Sequence, residues 1–284
     1  MPIDVDAAVV ANTRLSDEYN VVALDAPAIA RDALPGQFVM VKPALGTDPL
    51  LRRPFSIFEI LRDGGGRPTG VSILNKRVGV GTRLLFDAVP GSRVPCLGPL
   101  GRPFEAADRS GEAWMVAGGV GLAPFATLAE ALGARRTPST LFYGGRRSVD
   151  LFYVDVFERL GVRVVLATED GSRGERGRIT VPLERALKAA GTDRTVTLYV
   201  CGPTPMMAAA ASLARRHGRR ALVSLEQVMG CGLGGCYSCV VPVRRNGSSH
   251  FVRSCLDGPV LDSSEIVWEE LTHEAGLRGP PSRH

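Results

Sequence analysis

Glu112-Ala113-Trp114-Met115-Val116-Ala117 is a short apolar run that stops at Gly118-Gly119-Val120-Gly121 and resumes as a helical pattern through Leu132. It reads as strand, glycine turn, helix. The same unit recurs downstream. Strands at Thr140–Gly144, Val162–Ala167, Val196–Val200 and Arg220–Ser224 alternate with helices over Ser148–Leu160, Val181–Ala190 and Met206–His217, and the strand at Arg220–Ser224 closes the series. That alternation predicts an α/β doubly wound parallel sheet with helices on both faces.

Upstream of residue 104 the texture differs. Short β-prone runs at Ala8–Val10, Tyr19–Leu24, Gln37–Val41, Phe55–Ile60 and Gly70–Leu74 are cut by Gly and Pro, with a turn at Asp63–Gly66 and a short helix around Gly81–Leu85. This spacing predicts an antiparallel β-barrel or sandwich. The expected division is therefore 1–103, 104–223 and a small C-terminal unit 224–284 whose last residues, 276–284, are expected to be disordered. A chain of 284 residues has room for these parts at roughly 100–200 residues per domain.

Composition excludes several classes. With 45% hydrophobic and 22% charged residues the chain can bury a core. The net charge of +5 is spread over Arg pairs, and only 6% of residues are aromatic, so nucleic-acid binding is not expected. No run approaches the ~18–20 apolar residues of a membrane span, and Met1–Asp6 lacks signal-peptide character, so a soluble cytoplasmic protein is expected.

Four of the six cysteines fall in Cys231-Gly232-Leu233-Gly234-Gly235-Cys236-Tyr237-Ser238-Cys239 and at Cys255, a C-x4-C-x2-C-x15-C pattern. In a reducing compartment clustered thiols bind metal more often than they form disulfides. The x4 gap filled mostly with glycine is the opening of the plant-type [2Fe–2S] pattern, in which backbone N–H groups turn toward charged sulfides. The final gap is much shorter than in plant-type ferredoxins, and a structural zinc site is the alternative. Cys96 reads as a small core hydrophobe.

Gly118–Gly121 follows a strand, where its N–H groups and the next helix suit a pyrophosphate, or where it serves only as a tight turn. Cys201-Gly202-Pro203-Thr204-Pro205-Met206 ends another parallel strand and would form a second wall of that crevice. In the barrel, Arg53-Pro54-Phe55-Ser56 and Gly79-Val80-Gly81-Thr82 suit phosphates equally, or an edge strand and a capped turn.

In order and spacing these motifs resemble the electron-transfer subunit of the NAD-linked, two-subunit dihydroorotate dehydrogenase, a branch of the ferredoxin reductase superfamily. Tyr143–Arg146, Ala167–Ser172 and Cys255–Val260 strengthen the likeness, which covers almost the whole chain. The resemblance implies an FAD site from Arg53, Pro54, Phe55, Ser56, Leu74, Asn75, Lys76, Gly81 and Thr82. It implies an NAD site from Gly118, Gly119, Val120, Gly121, Cys201, Gly202 and Pro203, with Ser56 and Cys201 in catalytic roles. It also implies a [2Fe–2S] cluster on Cys231, Cys236, Cys239 and Cys255, and an FMN-containing catalytic subunit as partner in a heterotetramer of pyrimidine biosynthesis. Apolar residues by the cysteines, Leu233, Tyr237, Val240, Val241, Phe251 and Leu256, are expected to supply the docking patch. A ferredoxin-, hydrogenase- or sulfide-linked NAD(P)H oxidoreductase subunit is the alternative, then a zinc-stapled binding module. Arg146-Arg147 would suit a 2′-phosphate, yet the family pattern favours NAD.

Overall fold

The computed structural model describes residues 1–271 apart from Leu45, Thr47, Asp108 and Arg109, so the tail expected to be disordered lies outside the described residues. Strands β1 (Ile3–Arg14), β2 (Tyr19–Asp25), β3 (Phe38–Val41), β4 (Arg53–Arg62), β5 (Pro68–Lys76) and β6 (Arg93–Leu100) close an antiparallel barrel in the order β1-β2-β5-β4-β3-β6. Val22, Leu24, Val39, Val41, Ile57, Ile73 and Cys96 fill it, so Cys96 is the core hydrophobe it was read as. Helix α1 (Pro27–Asp32) packs on β5 and buries Ile29, and α2 (Val80–Asp87) is the short helix expected after β5. The sixth strand was absent from the sequence reading because Pro95, Gly98 and Pro99 break its pattern. Proline lacks the N–H but keeps its carbonyl, and Pro95 O accepts Lys42 N at 2.9 Å.

The second unit is a parallel sheet of β7 (Glu112–Gly118), β8 (Ser139–Gly145), β9 (Arg163–Thr168), β10 (Glu175–Arg176), β11 (Val196–Cys201) and β12 (Arg220–Ser224), ordered β10-β9-β8-β7-β11-β12. Along β7, Ala113, Met115 and Ala117 join one core while Trp114 and Val116 join the other, which is the period-2 signature of a strand covered on both faces. Helices α3 (Phe125–Ala134) and α4 (Val154–Arg159) cover the first face, α5 (Thr180–Ala190) and α6 (Thr204–Arg216) the second. Where one helix was expected over 148–160, a 3₁₀ turn at Ser148–Asp150 is separated from α4 by Tyr153 in the left-handed region, φ +60°. Tertiary contact overrides helix propensity there: the Tyr153 ring meets Phe58 of the barrel edge-on at 4.8 Å.

The C-terminal unit is a hairpin, β13 (Val240–Arg245) and β14 (Ser248–Arg253), followed by α7 (Ser254–Asp257). Its turn, Asn246-Gly247, has φ of +51° and +77°, the two positive values a tight type I′ hairpin requires. β12 does not close the sheet as expected. β15 (Val260–Asp262) pairs antiparallel with it, so the chain returns from the cysteine region to the sheet edge. Among the described residues no helix is long and apolar enough to cross a membrane.

Candidate functional site

In the barrel, Arg53, Pro54, Phe55 and Ser56 begin β4 and are all half-exposed. Arg53 lies against the start of α2, since a Cβ placed on Gly81 would stand 3.7 Å from Arg53 Cγ. Its Nη1 donates only to the carbonyls of Leu51 and Arg52, and among the described residues no carboxylate pairs with it. An unpaired guanidinium beside a helix start fits a phosphate-bearing cofactor. The turn is held by Thr82, whose Oγ1 accepts from Val78 N and Gly79 N at 2.9 Å each.

Behind α2 runs a ladder of three asparagines. Asn75 Nδ2 donates to Thr82 O (2.9 Å) and Asn20 Oδ1 (2.8 Å); Asn20 Nδ2 donates to Asn12 Oδ1 (2.7 Å); Asn12 Nδ2 donates to Phe86 O (3.0 Å) and Ala88 O (2.7 Å). Asn75 and Asn20 are fully buried, so Asn75 spends its side-chain amide on holding the helix. Leu74 is buried beside it, and the Lys76 ammonium sits 5.0 Å above the Tyr19 ring.

In the sheet, the ends of β7 and β11 meet. A Cβ on Gly121 would stand 2.3 Å from Cys201 O, and one on Gly118 would stand 2.7 Å from Met206 Sδ and 2.9 Å from Pro203 Cδ. The two glycine-bearing stretches singled out in the sequence therefore form adjoining walls. Gly119, at φ +55°, faces open space, and Val120 is half-exposed. This bare backbone edge at the carboxyl ends of parallel strands suits a dinucleotide. Burial pushes the Cys201 thiol up to about 12, so it keeps its proton. Glu226, just past β12, is exposed, and the protein packed around its carboxyl pushes it up by desolvation. The barrel and sheet sets face each other, because β5 touches the Gly119–Leu122 turn and α3 touches β4.

The x15 gap between the last two cysteines is the hairpin. Its ends pair, Ser254 N donates to Cys239 O at 2.9 Å, and Cys239 and Cys255 share one buried cluster. Cys239 and Cys255 are buried, Cys231 is half-exposed and Cys236 exposed. Donors surround the outer pair: Leu233 N points to Cys231 Sγ at 3.3 Å, and the Ser238 hydroxyl, 3.2 Å from Cys236 Sγ, is the main cause lowering that thiol to about 6. The loop and the end of the hairpin gather four cysteines, with donors turned on the outer sulfurs, which is the donor set of a thiolate-held cluster; among the described residues the side chains as placed bring no three ligands close enough to share a metal ion. Gly232 and Gly234, both at positive φ, let the loop press on its supports: a Cβ on Gly232 would lie 2.5 Å from Met40 Cγ of β3, and one on Gly234 would lie 2.3 Å from Leu256 Cδ1. Arg253, not foreseen, pins the loop through Gly234 O at 2.9 Å. Of the expected docking patch, Leu233, Tyr237, Phe251 and Leu256 are exposed, whereas Val241 is wholly buried and Val240 half-buried, because the hairpin turns them toward the sheet domain.

Arg147 is not a free cation. It pairs with Glu18 at 3.1 Å and Asp150 at 3.5 Å. Two carboxylates beside it disfavour a 2′-phosphate, in keeping with NAD.

Comparison with known proteins agrees with this geometry. Residues 226–267 match the model for the iron-sulfur cluster binding domain of dihydroorotate dehydrogenase B, and residues 115–212 match the oxidoreductase NAD-binding domain. The chain is 38% identical over 265 residues to the dihydroorotate dehydrogenase B (NAD(+)) electron transfer subunit of Desulforamulus reducens, covering 93% of this chain and 98% of that one. To the subunit of the same name from Geobacillus thermodenitrificans it is 37% identical, with 91% and 96% covered. Among solved structures it resembles the NADH-dependent reduced ferredoxin-NADP oxidoreductase studied for flavin-based electron bifurcation, with TM-score 0.81, 27% identity and coverage of 96% and 94%. A ferredoxin reductase of carbazole 1,9a-dioxygenase matches with TM-score 0.64 and 26% identity over 77% of this chain and 67% of that one.

Proposed function

This chain belongs to the family of dihydroorotate dehydrogenase B (NAD(+)) electron transfer subunits, and from that premise we propose the route its residues serve. Cys231, Cys236, Cys239 and Cys255 would hold a [2Fe–2S] cluster and the barrel cleft would hold FAD, so that the chain would link a separate FMN-containing, dihydroorotate-oxidising catalytic subunit to NAD+. When bound, FAD supplies the exchange between single electrons and a hydride that neither the cluster nor the nucleotide makes alone.

The chain's own residues have distinct tasks. Arg53 with the Gly79–Thr82 turn would hold the FAD phosphates, while Pro54, Phe55, Ser56 and Leu74–Lys76 would line its ring system, with Ser56 at the reacting edge. Gly118–Gly121 and Cys201–Pro203 would receive NAD, and Cys201, holding its proton on Sγ, would pack against the nicotinamide without exchanging charge. We take 1–103, 104–223 and 224–284 as the FAD, NAD and cluster units. The observation that carries the proposal is the seating of the cysteine loop on the barrel: Phe38, Met40 and Leu100 share one buried cluster with Met229, Cys239 and Cys255, a seating that would bring a cluster on these cysteines beside a flavin in the barrel cleft. Leu233, Tyr237, Phe251 and Leu256 around that loop offer the catalytic subunit an apolar surface.

The likeness to the reduced ferredoxin-NADP oxidoreductase favours a second reading, in which ferredoxin is the donor. Both are tested by mixing the purified chain, carrying about one FAD and about two irons, with a dihydroorotate-oxidising catalytic subunit. Co-elution with dihydroorotate-dependent NADH formation is expected. NAD+ reduction by ferredoxin but not by dihydroorotate would transfer the assignment to the second reading. Cys236→Ser should abolish transfer from the partner while NADH oxidation by a dye accepting from the flavin survives.

A further inference from the structure

The seam between barrel and sheet domain is largely apolar. Val21, Phe58 and Leu74 pack with Leu122 and Tyr143, and the Tyr19 and Phe152 rings lie 5.0 Å apart. Apolar burial is non-directional, so it holds two surfaces together without fixing their register. Within this seam lies a carboxylate, Asp150, only 5% exposed.

Each hydrogen bond of Asp150 leads to a different element. Oδ1 accepts from the Tyr19 hydroxyl of β2 at 3.0 Å; Oδ2 accepts from Arg147 N at 3.0 Å; its carbonyl accepts from the Tyr143 hydroxyl at 2.9 Å. That hydroxyl also stands 3.2 Å from the carbonyl of Gly119, the positive-φ residue of the glycine turn. On the barrel side, Tyr19 is the register partner of Lys76 on β5 and carries the Lys76 ammonium over its ring. A continuous path thus joins Leu74–Lys76 to the glycine turn through Tyr19, Asp150 and Tyr143. The charged groups around this path are Arg147, paired with Asp150 and with Glu18, Lys76 over the Tyr19 ring, and Arg173, whose Nη1 donates to Leu151 O at 2.9 Å. Burial first and Asp150 second push the Tyr19 hydroxyl up, and burial does the same for Tyr143, so both stay protonated donors.

A buried carboxylate is a costly way to fill a seam that a leucine would fill, and groups retained at such cost serve geometry better than stability. We infer that Asp150 and Tyr19 are positioning residues that set the flavin-bearing strand in register with the nicotinamide turn, so that hydride passes between them at a fixed distance. The inference rests on the FAD and NAD sites proposed above. A displacement of about 1 Å at a reacting centre costs on the order of 100-fold in rate, which makes a directional tie worth its burial.

Tyr19→Phe is the sharp variant, because it keeps the ring against Phe152 and under Lys76 and removes one hydroxyl. In the full chain carrying flavin and cluster, bleaching of the flavin by saturating NADH should slow about tenfold, within the bound just given. Flavin content, iron content and NAD+ affinity by calorimetry should stay within twofold of the parent, and hydrogen exchange at residues 143–151 should quicken. Asp150→Asn, which retains one acceptor, should fall between parent and Tyr19→Phe. A saturating rate within twofold of the parent in both variants, or a slowing that tracks weakened NAD+ binding, overturns the inference. Absence of NADH-driven bleaching in the parent chain overturns the flavin and nicotinamide reading, and this inference with it.

Discussion

In the barrel the glycine turn before α2 is carried by a ladder of side-chain hydrogen bonds, whereas in the sheet the turn after β7 is carried mainly by close approach at its glycines. Thr82 and the Asn12–Asn20–Asn75 ladder hold the first from behind, satisfying carbonyls from Thr82 to Ala88. The second has only the Tyr143 hydroxyl on Gly119 O, at 3.2 Å, and relies on Gly118, Gly121 and Gly202, which let two strand ends close to a distance no side chain would permit. The first design tolerates added volume at the turn but not lost polarity behind it. The second tolerates no added atom at Gly121, whose neighbour is the main chain of a central strand. Substitutions that add a methyl or remove a hydrogen bond should separate the two.

Gly121→Ala is the severest. Its Cβ would meet Cys201 O at 2.3 Å and Cys201 C at 2.5 Å, atoms of a strand paired on both sides. Overpacking there costs about 1–3 kcal/mol, and displacement of the crevice should lower NADH oxidation on the order of 100-fold with flavin retained. Steady-state rates and flavin absorbance check it; a loss under threefold would mean that close approach is not what holds the turn.

Asn20→Leu attacks the other design at its middle rung. It leaves Asn12 Oδ1 without its partner and takes one of two partners from Asn75 Nδ2 and from Leu85 O in a buried place, at about 1–3 kcal/mol. Flavin should dissociate about tenfold more readily, since 1.4 kcal/mol is about a factor of ten, while NAD+ binding by the cofactor-stripped chain stays unchanged. Equal weakening of both ligands would show that the two turns are not independently built.

Thr82→Val removes the acceptor of Val78 N and Gly79 N while keeping the shape. Loss of such a cap costs about 1 kcal/mol, so flavin retention should drop only a few-fold and the melting temperature slightly. A tenfold loss would promote the hydroxyl from turn-builder to direct ligand.

What could be read in the chain beforehand follows the same divide. The glycine turns, the strands before them and the cysteine loop are local patterns, visible within ten residues. The x15 gap was legible as a number only; that it is a hairpin placing Cys239 beside Cys255 depends on the pairing of Val240 with Arg253. The asparagine ladder joins positions up to 76 residues apart, and Tyr19 meets Asp150 across 131, so neither leaves a local trace. Asn20 at the head of an apolar strand was the one signal available, a polar residue on a core face. Proline hid β6, and Tyr153, drawn onto Phe58, broke a helix that periodicity had made continuous.

The gentlest test lies two residues from the severest. Gly119 adopts φ +55°, but a Cβ there would meet nothing within 4 Å. Gly119→Ala therefore costs only the left-handed backbone, about 1 kcal/mol. The new methyl would stand on the open face assigned to the nucleotide, so KM for NADH should rise a few-fold while the saturating rate stays within twofold. Gly121→Ala, by contrast, should destroy the saturating rate. Chemically identical changes would then separate a glycine needed by the protein from one needed by the ligand. An unchanged KM would move the nucleotide off the face that Gly119 leaves bare, and with it the reason for a glycine there beyond its φ.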